Sequence, residues 1–479
     1  MGMLKFMRAC ALLVPVALLL SQSASADSPF LEKPYLQLGD APKLSNPESL
    51  MLLWHSAPDL TGWAVEVRTS KDSAWRAMSE PTAQSVNAPG IPPHMVYHAR
   101  LMGLVPGEQF QYRVLRSGDP VFISTGRARK SAEQPYRVVL FGDCAQGTPA
   151  SRAIAYQASL ANPDFIFIPG DIIYDSGRIS EYRQKFFPVY NADTPSADIG
   201  APLLRSTLFI AAPGNHDIAL TNFQRYADAL AYFLYWDQPL NGFVPSADSH
   251  AAVHTLTGNL EAQPAFLAAS APRYPLMANF SFDYGNAHWT VLDSNPYMEW
   301  SNPELRDWVA KDLAAARNAT WRFVAFHHPG FNSATEHTND QWMRVLSPVF
   351  EAGNVDVVFQ GHVHNYQRTY PLTFVPKLQE NGAVVGPRGE VAGEWKLDHA
   401  FKNGLGAKPQ GVIYITSGAG GAGLYSVAMQ ADPSQWKEFT YKFFSEQHSL
   451  SVIDVNGKTF RLRQISDTGN EVDSFQIEK

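Results

Sequence analysis

The chain has 479 residues, with 38 Lys and Arg against 45 Asp and Glu and a formal net charge of −7. It has no basic tract, which argues against nucleic acid or an acidic membrane surface as a partner. Past residue 26 no apolar run is long enough to span a bilayer, and the length suits two or three domains.

Residues 1–26 read as a secretory signal. Lys5 and Arg8 form its basic region, 9–20 its apolar stretch, and Ala24-Ser25-Ala26 a small-x-small cleavage site. The alternative is an N-terminal anchor. Cleavage leaves Cys144 alone, because Cys10 lies in the signal, so no internal disulfide can form. The expected address is secreted or periplasmic, and a bacterial exported protein fits this use of cysteine.

Residues 27–130 are expected to form an all-β sandwich. Runs such as Leu50-Met51-Leu52-Leu53-Trp54, Ala64-Val65-Glu66-Val67-Arg68 and Phe110-Gln111-Tyr112-Arg113-Val114 recur between turns, and several alternate apolar with polar. His55, His94 and His98 read as ordinary sandwich residues. A polar linker, 131–135, opens the second domain, 131–479.

From Tyr136 the pattern becomes strand, helix, strand. Residues 138–141 and 165–168 are apolar, β-branched and aromatic runs, as in strands buried on both faces. Residues 150–160 suit a helix between them, giving a βαβ unit. Further strands are expected at 208–212, 280–284, 288–293, 323–326, 355–360 and 411–417. Helices are expected at 303–317 and 340–352, and a hairpin around Asn456-Gly457. Two such halves predict a layered α/β core with two sheets.

The segment 218–275 is long and aromatic, with Tyr226, Tyr232, Phe233, Tyr235 and Trp236. It reads either as a lid over a site or as packing around an insertion. Residues 372–410 look like loop or hairpin near the site. Gly418-Ala419-Gly420-Gly421 reads as a tight turn at the domain rim, with a phosphate cradle as the alternative.

Five of the apolar runs end in metal-type side chains. They deliver Asp143, Asp171 with Tyr174, Asn215 with His216, His327, and His362 with His364. Open α/β sheets place ligands past the carboxyl ends of their strands. Mixed oxygen and nitrogen donors suit Fe, Mn, Zn or Mg, and two neighbouring cations need about this many donors with one carboxylate between them.

These stretches resemble the purple acid phosphatases within the calcineurin-like metallophosphoesterases. The resemblance lies in Gly142-Asp143-Cys144-Ala145, Gly170-Asp171-Ile172-Ile173-Tyr174, Gly214-Asn215-His216-Asp217, Val324-Ala325-Phe326-His327 and Gly361-His362-Val363-His364. It extends to the amino-terminal part, from Pro34-Tyr35-Leu36-Gln37, where it implies a fibronectin-III-like sandwich. Ala145 stands where the family usually has Gly and the wider superfamily a ligand His. Cys144 reads as a packing residue.

The resemblance implies Fe(III) on Asp143, Asp171, Tyr174 and His364, and a divalent ion (Zn, Mn or Fe) on Asp171, Asn215, His327 and His362, with Asp171 bridging. His216 would reach the phosphate or protonate the leaving group; a histidine titrates near ~6.5. His337 falls where the family often keeps a second substrate-facing His, though a solvated loop His is also open. The implied activity is hydrolysis of phosphate monoesters at acidic pH, with a metal-bound hydroxide as nucleophile. A phosphodiesterase or phospholipase-like relative on the same site is the alternative. A non-catalytic binding protein is a third reading, and its sign would be a missing ligand; none is missing.

Overall fold

The computed structural model describes residues 28–244, 255–401 and 408–479. The expected signal segment and the middle of 218–275 lie outside them. Among the described residues no helix is long and apolar enough to cross a membrane.

Two large sheets form the body. One runs in the order Leu208–Ala212, Phe165–Pro169, Tyr136–Leu140, Ser449–Asn456, Thr459–Ser466, Glu471–Glu478. The other runs Phe280–Tyr284, Ala287–Val291, Trp321–Ala325, Val357–Gln360, Ile413–Ser417, Tyr366–Thr369, Thr440–Phe444. The first three strands of the former are mutually parallel, as are the four from Ala287–Val291 to Ile413–Ser417 in the latter.

Side chains alternate across these strands, and both faces are covered. Phe165, Phe167, Val138 and Leu140 point inward, into one core with Phe282, Trp289, Phe323 and Phe359 of the facing sheet. The Trp289 ring lies 5.3 Å from Phe167 and 5.5 Å from Phe359. Val139, Ile166 and Ile168 point outward instead, against Ile154, Ala155 and Ala158 of the helix Pro149–Leu160. That helix starts where Thr148 caps it by accepting from the Ser151 amide, with Pro149 pre-set for the first turn. On the far side Val324 and Val358 pack with Leu305, Val309 and Leu313 of the helix Pro303–Ala315. The result is helix, sheet, sheet, helix. Strands buried on both faces read as continuous apolar runs for this reason.

The amino-terminal part is two four-stranded antiparallel sheets. Their orders are Glu32–Gln37, Glu48–Ser56, Ile91–Leu104, Thr82–Ala88 and Arg76–Ala77, Trp63–Arg68, Gln109–Arg116, Asp119–Arg127. Trp54, Val65, Leu101 and Tyr112 fill the space between. This sandwich joins the body through buried polar contacts. Arg129 is paired with Glu48 at 2.7 Å and also donates to the Asp283 carbonyl at 3.2 Å.

Two expectations change, and the described part of one further segment is placed. The 340–352 segment is a 3₁₀ turn, Trp342–Leu346, running into a short α-helix, Ser347–Ala352, with Pro348 in its first turn. Four of the aromatics of 218–275, namely Tyr232, Phe233, Tyr235 and Trp236, are buried. Tyr235 sits in the seam between body and sandwich, where it bonds His94 at 2.9 Å and its carbonyl accepts from Tyr35, while Tyr232 donates to the Ala211 and Met277 carbonyls and Trp236 to the Tyr182 hydroxyl within the body. The four are therefore not free to stack on a ligand. Gly418 and Gly420 are not at a rim either. A Cβ on Gly418 would lie 2.3 Å from the Val363 carbonyl and 2.8 Å from the Asp143 carboxylate, so the turn backs directly onto the strand ends.

Candidate metal centre

Asp143, Asp171 and His362 each follow a glycine at the carboxyl end of a buried strand. All three hold the left-handed backbone, with φ of 58°, 48° and 67°. Such a residue costs on the order of 1–3 kcal/mol unless its surroundings impose it. Here they do. The Asp143 carboxylate accepts from the His362 amide at 2.8 and 3.0 Å, and the His216 amide donates to Asp171 Oδ1 at 2.9 Å. The loops carry no bulk between them. A Cβ on Gly214 would meet Asp171 at 2.2 Å, and one on Gly361 would meet Asp143 at 2.7 Å. Asp217 ties two loops together by accepting from the amides of Gly214, Ile172 and Ile173. Burial, with the Asp171 charge beside it, pushes its carboxyl up to about 7.

The structure brings the seven expected donors together in two groups that meet at Asp171. In the first, Tyr174 Oη lies 3.0 Å from Asp143 Oδ1 and 3.1 Å from His364 Nε2, and these last two atoms are 3.5 Å apart. In the second, His327 Nε2 lies 3.2 Å from Asp171 Oδ1 and 3.1 Å from Asn215 Oδ1. Asp171, His327 and His362 present donor atoms within 4.8 Å of one another. Cations bound at about 2.0–2.2 Å place neighbouring donors roughly 2.8–3.6 Å apart, so these spacings fit.

The electrostatics fit as well. Burial would lower the His327 pKa, but the carboxylates of Asp171 and Asp143 outweigh it and raise it to about 9. The imidazolium answers the negative field that a cation would answer. Burial would raise the Asp171 carboxyl, and His327 and His216 instead hold it well below its usual range. Burial, with His327 and His337 nearby, lowers His362 to about 4, which keeps it in the neutral form a metal requires. Tyr174 is driven well above the ordinary phenol value, first by burial and then by the Asp143 and Asp171 charges. Only a strongly charged cation would reverse that sign.

The remaining ring nitrogens are oriented. His327 Nδ1 donates to the Pro169 carbonyl at 3.0 Å, and His364 Nδ1 to the Gly423 carbonyl at 2.7 Å. His216 is part-exposed, with Nδ1 2.6 Å from the Asp175 carbonyl and Nε2 3.9 Å from Asp171 Oδ2. His337 is also part-exposed, and its ring centroid is 3.9 Å from that of His362. His328, next to His327, is buried, bonds Ser294 Oγ at 2.9 Å through Nδ1 and packs its ring 4.3 Å from that of His362. Cys144 is buried with its thiol on the Ile172 carbonyl.

A cavity of about 670 Å³ opens beside the second group. Asn215, His328, His337, Asp340 and His362 line its metal side, Met298, Trp300, Trp342 and Pro387 supply apolar wall, and Glu299 and Arg388 are among its polar lining residues. The bend between the paired strands Leu372–Pro376 and Gly393–Leu397 carries Pro387 and Arg388 to this wall.

Several participants were not legible as site residues. Tyr425 stacks on His364 at 4.0 Å and 9°, sixty-one residues along the chain. Its nearest sequence signal is the glycine turn before it. Trp342 is fixed by its indole N–H to the Ser294 carbonyl at 2.8 Å, and Asp340 bonds two histidines. Asp340 stands three residues after His337, the one spacing that could have drawn notice.

Residues 136–366 match the calcineurin-like phosphoesterase family. Purple acid phosphatase 23 of Arabidopsis thaliana is 24% identical over 300 residues, 57% of this chain and 57% of that protein. The chain thus spans less than two thirds of that relative's length. Among solved structures, the purple acid phosphatase PPD1 from yellow lupin (Lupinus luteus) seeds aligns with TM-score 0.60 at 18% identity, over 93% of this chain and 74% of that one. PhoD aligns with TM-score 0.54 at 13% identity, over 94% of each. At these identities the structural likeness speaks to the fold.

Proposed function

We propose that this chain, which carries a calcineurin-like phosphoesterase domain and is related to the purple acid phosphatases, is an exported acid phosphatase that hydrolyses phosphate monoesters. Its centre would hold Fe(III) on Asp143, Asp171, Tyr174 and His364, and divalent Zn, Mn or Fe on Asp171, Asn215, His327 and His362. The observation that carries the reading is the meeting of two donor groups at one buried carboxylate, Asp171, beside an open cavity.

When bound, the two cations supply charge stabilisation at the phosphoryl oxygens and an activated water. The chain supplies position and a proton. His216 donates its Nδ1 proton to the Asp175 carbonyl, which leaves Nε2, on the Asp171 side, to carry a proton to the leaving oxygen. The glycine-lined strand ends bring Asp143 and Asp171 together without intervening side chains. The apolar wall of Met298, Trp300 and Trp342 receives the organic part of the ester.

The size of the cavity favours one second reading, a diester with an arm on each side of the phosphate. Rates on nitrophenyl phosphate and bis-nitrophenyl phosphate separate the two. The monoester is expected to be preferred by about tenfold or more in kcat/KM, roughly 1.4 kcal/mol. A preference for the diester would overturn the monoesterase assignment.

Tyr174 tests the ferric site. Its phenol, held protonated by burial and two carboxylates, ionises only against a strongly charged cation. In the family, phenolate-to-iron charge transfer gives the colour. The purified protein should be violet or pink, and Tyr174→Phe should bleach it while some metal stays bound. A colourless, fully active wild type with two divalent ions, indifferent to Tyr174→Phe, would place it in the wider metallophosphoesterase group.

A further inference from the structure

One oxygen, Asp340 Oδ2, lies 3.1 Å from His362 Nε2 and 2.9 Å from His337 Nδ1. A carboxylate oxygen has two lone pairs and can accept from both rings at once. Neither histidine is held this way by any other residue through the same nitrogen among the described residues. His362 is a proposed ligand of the divalent ion, and His337 faces the cavity. A ligating histidine ordinarily donates its second ring N–H to a carboxylate, carbonyl or water, which sets its tautomer and ring angle. With Nε2 given to Asp340, Nδ1 is the His362 nitrogen left for an ion. With Nδ1 of His337 given to the same oxygen, its Nε2 is the nitrogen left for substrate.

We propose that Asp340 is a positioning residue that couples the divalent ion to the substrate-facing histidine, because one oxygen orients both His362 and His337. This rests on the metallophosphoesterase reading above. A purely local role is the competing account. The Asp340 amide also donates to the His337 carbonyl at 3.2 Å, and His337 has φ of 58°, so the carboxylate could simply close a strained turn. Closing a turn does not require the bond to His362, which is twenty-two residues away.

The test is metal retention by the full chain during timed dialysis against a chelator, read by elemental analysis, beside turnover of nitrophenyl phosphate. Asp340→Ala should lose the divalent ion about 10–100-fold more readily than wild type, the scale for loss of such an outer partner. Iron and the visible absorption should stay. His337→Ala should keep both ions and lose rate only. Equal retention of both ions by Asp340→Ala and wild type would overturn the proposal, whatever happens to melting temperature. Should Asp340→Ala not fold, Asp340→Asn decides: it keeps the shape without the charge, and unchanged divalent retention would overturn the proposal. Three ions per wild-type chain, with the third lost in both Asp340→Ala and His337→Ala, would make the cluster a metal site instead and also overturn it. A wild type that binds no metal pair would defeat the metallophosphoesterase reading itself, which is a separate failure.

Discussion

Asp171→Asn is expected to lower bound metal at both positions and to reduce turnover by about 10⁴-fold or more, the scale on which groups acting as a unit fail. Asp171 touches both donor groups. Its Oδ1 is 3.2 Å from His327 Nε2, and its charge, with that of Asp143, acts on the Tyr174 phenol of the other group. The side chain is buried, and positive neighbours hold its carboxyl ionised against that burial. An amide of the same shape keeps the packing and the bond from the His216 amide, and removes the charge. The unbalanced carboxylate of Asp143 is then left to hold one cation with Tyr174 and His364. Elemental analysis and steady-state rates on the same preparation check this. Full occupancy of both ions with a near-normal rate would remove Asp171 from its bridging place.

His216→Ala has the second largest expected effect, about 10²–10⁴-fold in rate, the range for a positioned acid. Both ions should stay, because the donor at this loop is Asn215, whose Oδ1 lies 3.1 Å from His327 Nε2. The His216 ring instead packs 4.5 Å from the Tyr174 ring and anchors Nδ1 on a backbone carbonyl, as a group held for proton transfer would be. The loss should shrink on esters of nitrophenol, whose leaving oxygen needs little protonation, and grow on alkyl esters. An equal loss on both would mean that His216 binds the phosphate and does not protonate the leaving group.

The fold was legible wherever burial is two-sided. Ile166 and Ile168 face a helix while Phe165 and Phe167 face the opposite sheet, so no position in that strand tolerates a polar residue and the run announces itself. The same holds for Val138 to Leu140 and for Phe323 to Ala325. That the seven candidate donors would lie close together was legible for a related reason. Each follows such a run at short, fixed spacing, and close approach calls for glycine beside them, since a Cβ would lie 2.4 Å from His327 at Gly170 and 2.7 Å from Asp143 at Gly361.

What surrounds the donors was not legible, since it comes from contacts between distant segments. The aromatics after Asp217 carry no mark that distinguishes a lid from a seam. It is the sandwich, through Tyr35, His55 and His94, that claims Tyr235. The glycine turn at 418–421 reads locally as any tight turn, and only its approach to Val363 and Asp143 explains why no side chain fits there. The strands, the layered α/β class and the donor types can be read along the chain, because burial on two faces and strand-end turns constrain residues locally. The cavity, the Asp340 link and the stacking of Tyr425 on His364 arise only when the chain is folded. Those depend on where loops from separate strands meet, and hydrogen bonds across 22 or more residues of chain leave no periodic trace in it.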